Sequence, residues 1–141
     1  MNPIFSVKIT AELKNLTEIY HFVETTGATL DLETTAIYDL QLAVDEAVTN
    51  VIVHGYRGRR GNIELKIEQE KDTIVVRLCD EAPPFDPTTV PPPNLTTPLE
   101  ERALGGLGVY LIQQVMDEVS HRVTAKGGNE LTLIKSGVDK K

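Results

Sequence analysis

The stretch Leu40–Tyr56, LQLAVDEAVTNVIVHGY, decides the architecture. Leu40, Val44, Ala47, Val48 and Val51 recur at three and four, which predicts a helix with an apolar stripe. Beside that stripe run Glu46, Asn50 and His54, each four residues after the last, so they share one edge of the helix. No Lys or Arg interrupts the run, and Asp45 and Glu46 are its only acids. A carboxylate, a carboxamide and an imidazole bordering a core face need partners, because burying them unpaired is costly. Oxygen ligands one turn apart suit a hard cation such as magnesium, or a water held for attack. Taken alone, such a pattern is more often a polar helix edge satisfied by water or backbone.

Composition sets the class. The 141 residues suffice for one domain, 1–141, with a single core. A hydrophobic content of 40% with 25% charged residues is that of a soluble globular chain. The net charge of −7 argues against direct nucleic-acid binding. An anionic ligand stays possible, since backbone N–H groups and a metal can hold one locally. Cys79, the one cysteine, excludes an intrachain disulfide and a cysteine-based zinc site. No signal peptide is visible at the start, and no apolar run is long enough to span a bilayer, so a cytoplasmic protein is expected.

Outward from the central helix, Ile4–Thr10 alternates and predicts a half-buried strand with Phe5, Val7 and Ile9 inward. Leu13, Leu16, Ile19, Tyr20 and Val23 predict a helix over 13–25, with Gly27 as its stop. Asp31 is expected to begin the helical stretch that runs into Leu40–Tyr56. Gly55 and the basic turn Arg57–Gly61 end it, with cations at the negative end of the helix dipole. Asn62–Glu70 and Thr73–Cys79 predict two strands joined by a hairpin at Lys71–Asp72. Seven of the eight prolines fall in Glu81–Pro98, which excludes a regular element there. Gly105–Gly108 opens a further helix through Met116. His121–Ala125 and Glu130–Lys135 predict a second hairpin across Lys126–Asn129, and a polar tail, 136–141, is expected to fray. The order predicts an α+β two-layer sandwich, a mainly antiparallel mixed sheet with helices on one face.

Three features gather chemistry. Glu46 and Asn50 lie on the central helix. Asp80 closes a strand just before the proline-rich loop. Gly105–Gly108 stands at a helix start, where glycine lets the backbone approach a phosphate. In this order they resemble the GHKL ATPase superfamily, which includes gyrase, histidine-kinase and mismatch-repair ATP-binding domains. Within it the likeness is greatest to the stand-alone anti-sigma factor serine/threonine kinases. The residues that carry the resemblance are Glu46-Ala47-Val48-Thr49-Asn50 with the following Val51–Tyr56, then Asp80–Asp86, then Gly105–Ile112, then Asn129–Lys135. It spans nearly the whole chain, and implies the Bergerat-type ATP-binding fold.

The resemblance also implies roles. Asn50 would coordinate Mg²⁺ bridging the phosphates of ATP, and Glu46 would be the general base. Asp80 would accept from the adenine amino group, with Thr132 helping through water. Residues 81–104 would form the ATP lid, mobile without nucleotide. Gly105, Gly106 and Gly108, with Leu107 and Val109, would fold the lid end over the phosphates. Phe85 and Ala82 would border the nucleotide, and Arg102 and His54 would be phosphate-side contacts. Ala82 stands where the family usually has glycine, so a positive φ there would be strained by on the order of 1 kcal/mol.

The implied function is a serine/threonine kinase that phosphorylates a small STAS-type anti-sigma-factor antagonist and sequesters a sigma factor, with a homodimer left open. Two alternatives stand beside it. One is a non-catalytic nucleotide-binding partner-switching module. The other is a histidine-kinase catalytic domain, disfavoured because the sequence as given opens on the first strand, with no dimerisation helix before it.

Overall fold

A computed structural model describes residues 2–89 and 106–140, with the backbone alone at Gly106 and Leu107. Strand β1 is Ile4–Thr10. A short 3-10 turn, Leu13–Asn15, leads into α1, Leu16–Thr29, and then α2, Thr34–Asn50. A π-helical segment, Val51–Tyr56, continues α2. Strands β2, Asn62–Glu70, and β3, Thr73–Asp80, follow. After a 3-10 turn at Pro87–Thr89 come α3, Gly106–Val115, β4, Glu118–Val123, and β5, Asn129–Ser136. The sheet runs β1-β2-β3-β5-β4, and each of these pairings is antiparallel.

Alternation builds the two layers. On β2 and β3 the buried residues are Ile63, Leu65, Ile67, Ile74, Val76 and Leu78, while their neighbours lie partly open. The three helices cover that one face. Helix α2 sits in the middle, packed on both α1 and α3. Its Leu40, Ala43, Val44, Ala47 and Val48 are all buried. Valine is a poor helix former by about 0.5 kcal/mol. Burying each valine returns about 1.5–3 kcal/mol, so packing decides the helix.

Four expectations are corrected by the local geometry. Gly27 does not stop α1, which runs on to Thr29. A Cβ at Gly27 would lie 2.6 Å from Cγ1 of Ile37, so glycine serves the close approach of α1 to α2. The stop is Asp31, in the left-handed region at φ 56. The N–H groups of Asp31 and Leu32 return to the carbonyls of Ala28 and Gly27 at 3.1 and 3.0 Å. Aspartate tolerates this conformation, which is why no glycine marks it. Helix α2 then starts at Thr34, not Asp31, after the extended Glu33.

The helix expected to continue to Tyr56 in one form changes at Val51. The N–H of Arg57 reaches the carbonyl of Ile52 at 3.2 Å, five residues back, the π spacing. Arg57 ends it at φ 53.

The tail does not fray. Val138 is fully buried. Its carbonyl accepts the Glu33 N–H at 2.8 Å, and the Gly137 N–H donates to Asp72 O at 2.9 Å. The Asp139 N–H donates to Oδ1 of Asp72 at 2.8 Å, and Gln69 Nε2 donates to Oδ1 of Asp139 at 2.6 Å. One valine among polar neighbours anchors the segment, and composition hides it. Val138→Ala should lower unfolding free energy by about 2 kcal/mol in a urea titration. An unchanged midpoint would show that the tail adds nothing.

Candidate functional site

The sheet register places the site. Ile63, Asp80 and Asn129 stand opposite one another across β2, β3 and β5, on the helix-covered face. Leu131, next inward on β5, faces His121 on β4. Two polar residues therefore stand in a buried row where the strand pattern otherwise puts aliphatics.

They satisfy each other. Oδ1 of Asp80 accepts from Nδ2 of Asn129 and from the Ala82 N–H, both at 2.9 Å. Asn129 Nδ2 also donates to the carbonyls of Ala82 and Pro83, each at 3.2 Å. Oδ1 of Asn129 accepts the Phe85 N–H at 2.9 Å and lies 2.6 Å from Nε2 of His121. Burial pushes the Asp80 carboxyl above the ordinary aspartate range, while Asn129, Ala82 and His121 pull it back.

Neighbouring elements fix the end of β3. The Tyr56 hydroxyl donates to Asn62 O at 2.7 Å and accepts the Glu81 N–H at 2.8 Å. Gly128 lies flat on the Asp80–Glu81 backbone, where a Cβ would come 2.8 Å from the Glu81 Cα. Ala82 packs by its Cβ against Gly55, 3.1 Å from where a glycine-to-alanine Cβ would stand. Ala82 is not among the residues of positive φ, so the strain expected there is absent.

The other end of the site joins α2 to α3. A Cβ at Gly108 would fall 2.6 Å from Oε2 of Glu46 and 3.7 Å from Nδ2 of Asn50. The backbone of α3 thus lies directly against the two polar residues of α2. Burial, then the neighbouring Asp45 charge, push the Glu46 carboxyl above the usual glutamate range.

Between the two ends lies a cleft. Asn50, Asp80, Ala82, Phe85, His121 and Asn129 line it, with Ala47, Val51, Gly55, Ile112 and Leu131 among its apolar walls. Mostly apolar walls with a few convergent polar groups suit a planar organic ligand with a polar edge. Glu46 borders the region through Gly108 and Asn50.

Not every expected residue falls here. His54 is half-buried, but Val51 and Gly55 line the cleft in its place. Val109 is buried and does not line the cleft. Thr132 faces the open side of the sheet, opposite Arg77, because Leu131 and Leu133 take the inward positions. Asn129 therefore stands at Asp80, where Thr132 was expected to help. The β5 alternation alone would have assigned it, since 129, 131 and 133 share a face. His121 follows by the same parity from Val119. Arg102 and Gly105 lie outside the described residues, as does 90–104 of the expected lid. Gly106 and Leu107 begin α3.

Residues 9–135 match the model of the histidine kinase-like ATPase domain. The chain belongs to that family. This histidine kinase-like ATPase domain is 36% identical over 89 residues to the serine-protein kinase RsbW of Listeria innocua, covering 60% of this chain and 57% of that protein. It is 35% identical over 110 residues to the anti-sigma F factor of Thermoanaerobacter pseudethanolicus, covering 77% and 76%. The RsbW of Bacillus pumilus is 32% identical over 106 residues, covering 70% and 64%. The fold of the ATPase domain is shared with a crystal structure of RsbU and RsbW domains from Mycobacterium tuberculosis. The TM-score there is 0.66 at 13% identity, over 99% of this chain and 33% of that one.

Gly128→Ala should cost roughly 2 kcal/mol, because backbone rather than a flexible side chain must move. Thermal unfolding measures it, and an unchanged Tm would mean that the Asp80–Glu81 backbone is not held by this contact.

Proposed function

We propose that the chain is a serine/threonine protein kinase that binds Mg·ATP in the cleft, phosphorylates a small STAS-type anti-sigma-factor antagonist, and sequesters a sigma factor. It would act in the cytoplasm as a regulator of transcription. The observation that carries this reading is one cleft with two unlike ends. An acceptor carboxylate stands at Asp80 and a carboxamide at Asn50, both lining the cleft, while Glu46 and the Gly108 backbone adjoin Asn50 just outside it.

The roles follow from the chemistry. Asp80 accepts a hydrogen bond from the adenine amino group, and Phe85, half-exposed at the cleft, covers the ring. Among the described residues no group of three His, Cys, Asp or Glu could hold a metal alone. The donor set still fits magnesium, which keeps waters and takes phosphate oxygens beside one or two protein ligands. Asn50 would be that ligand, and the ion would neutralise charge on the phosphates. Glu46 accepts the proton of the attacking hydroxyl. Its raised pKa keeps it a better base than an exposed glutamate.

Radiolabelled ATP, magnesium and candidate antagonists test this directly. Glu46→Gln should keep Mg·ADP affinity and lose phosphotransfer by about 10²–10⁴-fold. The wild-type rate should fall on the acid side at a pH above the usual glutamate range, since burial raises the pKa of Glu46. Undiminished transfer by Glu46→Gln would strip Glu46 of its role. Tight Mg·ATP binding with no phosphorylated product on any antagonist would favour the non-catalytic module.

Asp80→Asn keeps the shape and adds a competing donor, so ADP affinity should drop by on the order of 10-fold in calorimetry. Equal affinity would remove Asp80 from the site.

A further inference from the structure

The basic turn after the π segment is only partly explained by the helix it ends. Arg57, Arg59 and Arg60 crowd together in a chain whose net charge is −7. Arg57 Nε donates to His54 O at 3.3 Å and Arg59 Nε to Tyr56 O at 3.1 Å, so both serve the negative end of the helix. Each bond uses one N–H of a guanidinium that carries five. Among the described residues no carboxylate comes within ion-pair distance of any of the three, and Arg60 makes no side-chain hydrogen bond. All three are exposed.

The turn is also one wall of a hollow. Residues 58–62 line it on the turn side, and 10–12, at the end of β1, complete it. Both parts are held in place. A Cβ at Gly61 would overlap the ring of the buried Tyr56, so the turn lies flat on that ring. The Ala11 N–H donates to Gly61 O at 2.9 Å and ties the turn to the end of β1. Asn15 Nδ2 holds Thr10 by its carbonyl and its Oγ1, at 3.0 and 2.8 Å. Glu12, the acid of the hollow, is engaged locally. Its Oε2 accepts from Thr10 Oγ1 at 3.0 Å and pairs with Lys14 at 3.6 Å.

We propose that this arginine hollow docks an acidic stretch of a partner protein, taking two or three of its carboxylates on guanidinium forks. A guanidinium matches a carboxylate with two parallel N–H···O bonds. A segment rich in Asp and Glu is repelled by an acidic molecule everywhere except where the sign reverses, so the hollow sets where it settles. The walls are fixed before binding, which leaves little to order beyond the arginine side chains. A helix cap alone would need neither the hollow nor Arg60. The same net charge works against nucleic acid, whose backbone would run from the hollow onto acidic surface. No residue lining the hollow lines the nucleotide cleft, and the proposal does not depend on the reading of that cleft.

Hexaglutamate titrated into the nitrogen-15-labelled 141-residue chain, followed by amide shifts in two-dimensional NMR, tests it. Shifts should cluster at 10–12 and 57–62, and fade between about 50 and about 500 mM salt. Arg59→Gln with Arg60→Gln should weaken binding by on the order of 10-fold. Arg60→Gln alone, which breaks no bond among the described residues, should weaken it by about 3-fold and suffices if the double variant does not fold. Lys71→Asn removes the same single charge at the opposite end of β2 and should leave the affinity unchanged. Absence of any shift in the wild type overturns the proposal. So do shifts spread as far as Lys71 and Lys140, or an equal loss in Lys71→Asn, since either would mean general charge attraction. Inorganic phosphate or hexathymidylate, moving the same amides as readily at matched ionic strength, overturns the assignment to an acidic protein segment.

Discussion

A carboxylate and a carboxamide 2.9 Å apart, Asp80 and Asn129, are both buried at the end of the sheet. Leaving either unpaired would cost about 1–3 kcal/mol, against a whole-domain stability of about 5–15 kcal/mol. Much of the local architecture exists to prevent that. The β3–β5 register sets them opposite each other. Gly128 lets the backbones close, and Tyr56 pins the strand end from the π segment. The first turn of the following loop is shaped by the remaining valences of the Asn129 amide. Where the chain puts polarity in its core, geometry and function have to be solved together.

Helix α2 meets a related constraint. Its stripe of Leu40, Ala43, Val44, Ala47 and Val48 holds it in the centre of the helical layer. Its remaining edge is thereby committed to α3. Glu46 and Asn50 are only partly open to water, and the glycine backbone at 108 lies against them. The raised pKa of Glu46 is a consequence of that packing, so its basicity follows from the same contacts that build the core. Lys135 helps on the far side of α3, donating to the Val115 carbonyl at 2.7 Å and pairing with Asp39 at 3.1 Å.

Most of the sheet was legible in residue order. Alternation and turn signals found the strands and both hairpins, but β4, expected at His121–Ala125, runs Glu118–Val123, and Asn129, expected in the turn, begins β5. What failed was where one residue type carries a meaning other than its usual one. Gly27 looks like a stop and is a packing contact. Asp31 looks like a helix start and is a left-handed cap. Val138 looks like part of a polar tail and is core. At the site, Glu46, Asn50, Asp80 and Gly108 were readable as a set; Asn50 and Asp80 line the cleft, and the Gly108 backbone lies against Glu46 and Asn50. Thr132 was not, because a motif ignores strand parity, while parity alone points to Asn129. The π spacing after Asn50 has no marker in the sequence.

The strand order carries a consequence for synthesis. β5 is the last of the five strands to be made, yet it lies inside the sheet, between β3 and β4. Until it emerges, the far edge of β3, with Ile74, Val76 and Leu78, has no partner. β4 has nothing to lie against either. A ribosome-bound chain thus presents an unfilled slot flanked by aliphatic residues, the kind of edge that recruits other strands. The sheet closes only when β5 inserts, so its assembly depends on contacts distant in sequence. The emergence of β5, rather than the appearance of the central helix, is what completes the sheet.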